Sequence, residues 1–167
     1  MQRTKFHGRP LRLERIFQRK ANPVYFVTLC THLRRPWLAC VDVHALFIRF
    51  SRRANADFNI AVGRYVIMPD HLHLFVSGDP DFIPGRWVGM LKQVLARARP
   101  PEDKVSCGSP HENPRLWQEG FFDHLLRSDE SMAQKWEYVR QNPVRAKLAV
   151  HPEDWPYQGE IILIDGC

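Results

Sequence analysis

The sequence predicts an α+β fold: a ferredoxin-like β-α-β-β-α-β antiparallel sheet with an added C-terminal helix. Three observations carry this expectation. Residues 24–31 (Val-Tyr-Phe-Val-Thr-Leu-Cys-Thr) are β-branched and aromatic, as a strand requires. Residues 58–68 and 71–77 read as two further strands joined by the tight turn signal Pro69-Asp70. Between and after them, apolar residues recur at helical spacing, so strands and helices alternate in the order of a split βαβ unit.

Taken in order, the elements are as follows. The first helix is expected over residues 43–56 with Asp42 as N-cap, and Ala45, Leu46, Ile48, Phe50 and Ala54 form its apolar side. Gly63 is a candidate bulge in the second strand. In the third strand, side chains alternate, so Leu72, Leu74 and Val76 point one way and His71 and His73 the other. A second helix is expected over residues 86–99, buried through Trp87, Val88, Leu91, Val94, Leu95 and Ala98, and Pro100-Pro101 stops it. After a polar loop, residues 121–126 read as a fourth strand. A third helix is expected over 129–141 with Ser128 as N-cap, closed by Asn142-Pro143. Residues 144–150 read as a short helix or turn, and residues 161–164 as a further strand. Helices on one face of the sheet would leave the other for a site holding His71 and His73.

Composition bounds the function. The 167 residues suffice for one domain with a core. No apolar run approaches the ~18 residues of a membrane span, and the basic N-terminus lacks the apolar region of a secretory signal. The expectation is a cytoplasmic protein without a membrane partner. Cys30, Cys40, Cys107 and Cys167 are too scattered for a zinc ribbon or a disulfide framework. The net charge of +6 is concentrated at one end. Residues 1–20 hold Arg3, Lys5, Arg9, Arg12, Arg15, Arg19 and Lys20 against Glu14 alone, and the rest of the chain is neutral overall. Such an arm suits phosphate contacts with nucleic acid; a solvated tail accounts for the same composition. The organisation expected is a basic arm (1–22), one domain (23–150) and a tail (151–167).

Two constellations carry chemistry. His71 and His73 lie about 7 Å apart along one strand face. When neutral, each imidazole offers a nitrogen lone pair to a single metal ion. The pair alone also fits a half-buried strand with a polar outer side. The second constellation is on the third helix, whose stripe is Met132, Trp136 and Val139. Tyr138 lies roughly 120° away from it by the helical period, and Asn142 follows four residues later on the same face. A phenol and an amide projecting from a helix end suggest a site; a plain surface tyrosine is the alternative.

These residues carry a family resemblance. Met68-Pro-Asp-His71-Leu-His73-Leu resembles the His-hydrophobic-His motif of HUH nucleases. Tyr138-Val-Arg-Gln-Asn142-Pro-Val-Arg145-Ala resembles the Tyr-x-x-x-Asn-Pro-x-Arg-Ala motif of the REP-associated tyrosine transposases. Trp117-Gln-Glu-Gly-Phe-Phe-Asp-His124 is similar to the segment preceding that helix in the same family. The matches span residues 23–150; the arm and the last 17 residues lie outside them.

The resemblance implies a single-stranded DNA endonuclease and strand transferase acting beside hairpin-forming, REP-like palindromes, in DNA transposition or recombination. It implies that Tyr138 is the nucleophile, leaving a 5′-phosphotyrosine and a free 3′-OH. It implies a divalent metal, Mg²⁺ or Mn²⁺, held by His71, His73 and Asn142. A bacterial, nucleoid-associated protein is expected, and monomer and homodimer both stay open, since the tyrosine could serve its own site or a partner's. Candidate DNA contacts are Arg3, Lys5, Arg9, Arg12, Arg140, Arg145 and His124. Trp37, Trp87 and Trp117 are candidates for stacking on unpaired bases, although Trp87 also reads as core. Two other readings are a replication initiator or relaxase of the HUH class and a non-catalytic single-stranded nucleic-acid binder on a ferredoxin-like sheet.

Overall fold

The computed structural model describes residues 22–98, 115–126 and 129–164. The basic arm, Ser128, Cys107 and Cys167 lie outside them. Five strands form one antiparallel sheet: β1 (Val24–Cys30), β2 (Ala61–Ile67), β3 (His71–Ser77), β4 (Phe122–Leu126) and β5 (Gln158–Glu160), in the order β4-β1-β3-β2-β5. The first four reproduce the ferredoxin-like order, and β5 extends it at the β2 edge. The last strand therefore lies just before residues 161–164, which continue along β2 through the Ile162 N–H donated to the Val62 carbonyl.

The helices are α1 (Val41–Phe58), α2 (Pro84–Ala96), α3 (Asp129–Arg140) and the single turn α4 (Asn142–Arg145). Both α1 and α2 begin earlier than their sequence signals suggest. Their caps, Cys40 and Ile83, make no side-chain capping hydrogen bond, so neither start is marked by a capping residue. Pro84 opens α2, where its missing N–H costs nothing. The bulge at Gly63 is present as a register shift between Val62 and Tyr65. A Cβ there would come within 2.9 Å of Ile164, so the strand and the C-terminal segment approach closely at this glycine.

The period-2 pattern divides the core in two. Val27, Leu29, Leu72, Leu74, Val76, Val62 and Tyr65 meet α1 and α2 through Val43, Phe47, Trp87, Leu91 and Leu95. On the opposite face, Val24, Phe26, Val66, Phe75 and Leu126 meet Met132 and Val139 of α3. That second layer corrects the expectation of a bare face. The face that carries the histidines also carries Phe75 and Phe26, which are 1% and 7% exposed. The apolar stripe of α3 covers that end of the sheet, and the remaining end is left for His71 and His73. Among the described residues, no helix is long and apolar enough to cross a membrane.

Candidate active site

The turn between β2 and β3 is fixed from three directions. Thr31 gives both its N–H and its hydroxyl to the Asp70 carbonyl, at 2.9 and 3.0 Å, and Leu38 N–H bonds the Pro69 carbonyl at 2.9 Å. After β1 the chain passes through Leu33 and Arg34, both in the left-handed region at φ 54° and 55°. Such backbone is costly for a non-glycine residue and is retained where surrounding contacts impose it. Here it carries Arg34 to Asp70, which it meets at 3.2 Å.

Asp70 in turn lies 2.6 Å from His71 Nδ1. Burial pushes its carboxyl up, but the hydrogen bond and charge of His71, with the charge of Arg34, outweigh that and leave it below the usual carboxylate range. An ionised Asp70 can only accept, so Nδ1 of His71 donates; in the neutral ring Nε2 is then the nitrogen that carries the lone pair. His73 is held differently. Its Nδ1 lies 2.8 Å from Thr28 Oγ1, and its ring stacks on Phe26 at 5.5 Å and 15°. Burial first, then the charges of His71, Arg34 and Arg145, push its pKa down to about 3, so the ring is neutral at working pH. The two imidazoles stand 4.8 Å apart, nearly perpendicular. With both Nδ1 atoms engaged, the two Nε2 atoms are the nitrogens open to a metal.

Tyr138 projects from α3 and is 66% exposed, as its distance from the Met132–Trp136–Val139 stripe implies. It lines a cleft of about 430 Å³ together with His73, Phe26, Gln134, Lys135 and Val139. The tyrosine and one histidine thus meet in one space. Helix α3 ends at Arg140, so Asn142 opens the next turn, α4, and does not continue the same helix. Arg145 bridges the break: its guanidinium lies 4.1 Å over the Tyr138 ring and donates to the Tyr138 carbonyl and to Asn142 Oδ1. Its charge is among those felt by His73. Two metal-binding nitrogens thus stand together, on His71 and His73, and Asn142 Oδ1 is linked to the tyrosine through its bond from Arg145. An amide oxygen has two lone pairs, so one remains beside the Arg145 bond. Among the described residues no group of three or more His, Cys, Asp or Glu side chains is placed to hold a metal ion.

The comparisons with known proteins bear on this geometry. Residues 20–142 match the family described as "Transposase IS200 like". The chain belongs to the IS200-like transposases. This member is 31% identical over 98 residues to a Haemophilus influenzae protein assigned to the REP-associated tyrosine transposases, covering 54% of this chain and 53% of that one. It is 25% identical over 108 residues to the Escherichia coli REP-associated tyrosine transposase, covering 63% and 57%. The chain thus spans little more than half the length of these curated relatives. A REP-associated tyrosine transposase solved bound to a REP hairpin superposes with a TM-score of 0.65 over 91% of this chain and 94% of that one. At 16% identity that likeness establishes the fold of this chain.

The residues expected to contact DNA or bases are placed as follows. Trp87 and Trp37 are 2% and 5% exposed and belong to the core, so neither is available for stacking on bases. Trp117 packs edge-on against Trp37 and donates its indole N–H to the Lys92 carbonyl, which fixes the segment leading to β4. Arg140 is engaged by Glu137 at 2.7 Å and Glu153 at 3.1 Å. His124 is exposed on β4. Arg3, Lys5, Arg9 and Arg12 lie outside the described residues. Residues that the sequence did not single out include Thr28, Arg34, Asp70 and Lys135. Only Asp70 was locally visible, as a carboxylate directly before a histidine.

Proposed function

We propose that this transposase is a metal-dependent single-stranded DNA endonuclease and strand transferase acting beside hairpin-forming, REP-like palindromes. The observation that carries the proposal is the meeting of Tyr138 and His73 in one cleft, with Arg145 tying Asn142 to the tyrosine. In this reading Tyr138 Oη attacks the scissile phosphorus. A bond forms between the phenolic oxygen and phosphorus, the bond from phosphorus to the 3′ oxygen breaks, and the proton released by the phenol is balanced by the one that the departing 3′ oxygen takes up from solvent. The products are a 5′-phosphotyrosine and a strand ending in a 3′-OH. Attack by a 3′-OH on the phosphotyrosine reverses the step on a new end, and the stored bond makes ATP unnecessary.

A free tyrosine has a pKa near 10, and attack on a phosphodiester builds charge on the phosphoryl oxygens. A divalent ion held by His71, His73 and Asn142 would supply phosphate polarisation and alignment for in-line displacement. An amide oxygen suits Mg²⁺ or Mn²⁺, and two imidazoles tilt the preference to Mn²⁺. The protein's own part is to hold both rings by their Nδ1 atoms and to seat the phenol under Arg145. The alternative of a non-catalytic binder using the sheet face finds less support, because α3 occupies the part of the face that such binders leave open.

The test is incubation with a flanked hairpin and Mn²⁺. It should yield a cleaved strand with a free 3′-OH; a protein that only binds would leave the DNA intact. Asp70→Asn keeps the shape but removes the charge that orients His71. It should weaken Mn²⁺ binding by roughly 10- to 100-fold, read by titration without DNA; unchanged affinity would remove Asp70 from this role.

The basic arm, residues 1–20, is proposed to contact DNA beside the hairpin. Deleting it should reduce affinity and lower the salt slope of log K by about 0.7 for each phosphate that the arm neutralises. Equal slopes for full-length and truncated protein would reduce the arm to a solvated tail. The setting proposed is the bacterial cytoplasm, on the nucleoid.

A further inference from the structure

The edge strand β4 presents an aromatic surface to the site that neither the core nor the mechanism uses. In the antiparallel ladders, Phe122 pairs with Thr28, and Thr28 pairs with His73. Directly paired residues share a face. Phe122, Thr28 and His73 therefore form one row across the sheet on the side of the cleft, with Phe122 two strand spacings, roughly 10 Å, from the histidine. The next row is His124, Phe26 and Phe75, and Phe26 is the ring on which His73 stacks.

Phe122 is 60% exposed and His124 is also exposed, whereas Leu126, two residues further along the same face, is 5% exposed beneath α3. The helix thus covers one end of β4 and leaves the end beside His73 open. Phe121, on the opposite face, is packed against the main core, so the exposure belongs to one face of the strand. Edge strands are ordinarily blunted with charge; this one offers a phenyl ring. A cation accompanies it, since Lys135 Nζ lies 5.2 Å over the Phe26 ring at the cleft.

We propose that Phe122, with His124 beside it, is a stacking platform for an unpaired nucleobase flanking the scissile phosphate. The proposal rests on the DNA-processing reading of the same site. A flat π-face beside a cation and a cleft for the phosphate is the combination that single-stranded nucleic-acid sites use, because every base can stack. Within the observed fold it takes over the part that Trp37 and Trp87 cannot play. Phe122 is exposed, so its replacement leaves no core cavity.

The experiment measures affinity of full-length wild type, Phe122→Ala and Phe122→Trp for a hairpin with single-stranded flanks and for the bare hairpin, in EDTA to prevent cleavage. Phe122→Ala should bind the flanked hairpin about 5- to 150-fold more weakly. Phe122→Trp should bind it like the wild type, and all three should bind the bare hairpin equally. A scan of abasic sites through the flanks should find one position that weakens the wild type and not Phe122→Ala, which identifies the stacked base. Two results would overturn the platform and leave the DNA-processing reading intact. One is wild-type affinity of Phe122→Ala for the flanked hairpin, with the wild type still cleaving it; the other is an equal loss on both DNAs. A wild type that neither binds nor cleaves flanked hairpins would overturn both.

Discussion

Tyr138→Phe should abolish strand cleavage and the covalent protein–DNA adduct while hairpin binding stays near wild type. The change removes one oxygen from a side chain that is 66% exposed, so little packing is disturbed. The Arg145 guanidinium stays over a phenyl ring as over a phenol. Stability should therefore move by no more than about 0.5 kcal/mol. The rate should fall by a factor on the order of 10³ or more, the scale of losing a covalent nucleophile. Single-turnover cleavage of an end-labelled hairpin measures it. Undiminished cleavage by Tyr138→Phe would remove the tyrosine from the mechanism.

The second large effect is expected at the histidines. His71→Ala and His73→Ala should each eliminate Mn²⁺-dependent cleavage, and EDTA should do the same to the wild type. Both side chains point away from the α1–α2 core, so neither replacement should unfold the protein. The structure separates them. His71 bonds the part-exposed Asp70 at the rim, and its loss should be nearly neutral for folding. His73 stacks on Phe26 and pairs with Thr28, so alanine there leaves a hydroxyl without its partner. His73→Ala should cost roughly 1–3 kcal/mol, read as a lower melting temperature than that of His71→Ala. Activity surviving EDTA would sink the metal assignment; equal melting temperatures would sink the structural distinction.

The strand-helix order was legible because it rests on local periodicity. The alternation His71-Leu-His73-Leu and the stripe Met132, Trp136 and Val139 each put the right residues on the right face. The off-stripe position of Tyr138 likewise appears as exposure. What escaped depends on partners distant in sequence. Phe75 shares a face with the histidines, so the same alternation that marked that face as open also hid the ring that α3 covers. The support of His73 by Thr28 comes from the register of β1 on β3. The support of Asp70 by Arg34 requires two successive left-handed residues that no turn signal announces. Aromatic content alone did not separate Trp37 and Trp87, in the core, from Phe122, on the surface; burial did. Finally, the helical period places Asn142 on the helix of Tyr138. The helix ends at Arg140, and it is Arg145 that keeps the two together.

The central claim is that Tyr138 becomes covalently joined to DNA. The most direct measurement is peptide mapping by mass spectrometry of the full-length protein after incubation with a flanked hairpin and Mn²⁺, followed by nuclease digestion. The predicted result is a nucleotide 5′-phosphate on the peptide containing Tyr138. A modification on any other residue, or cleavage that proceeds with no adduct, would contradict it.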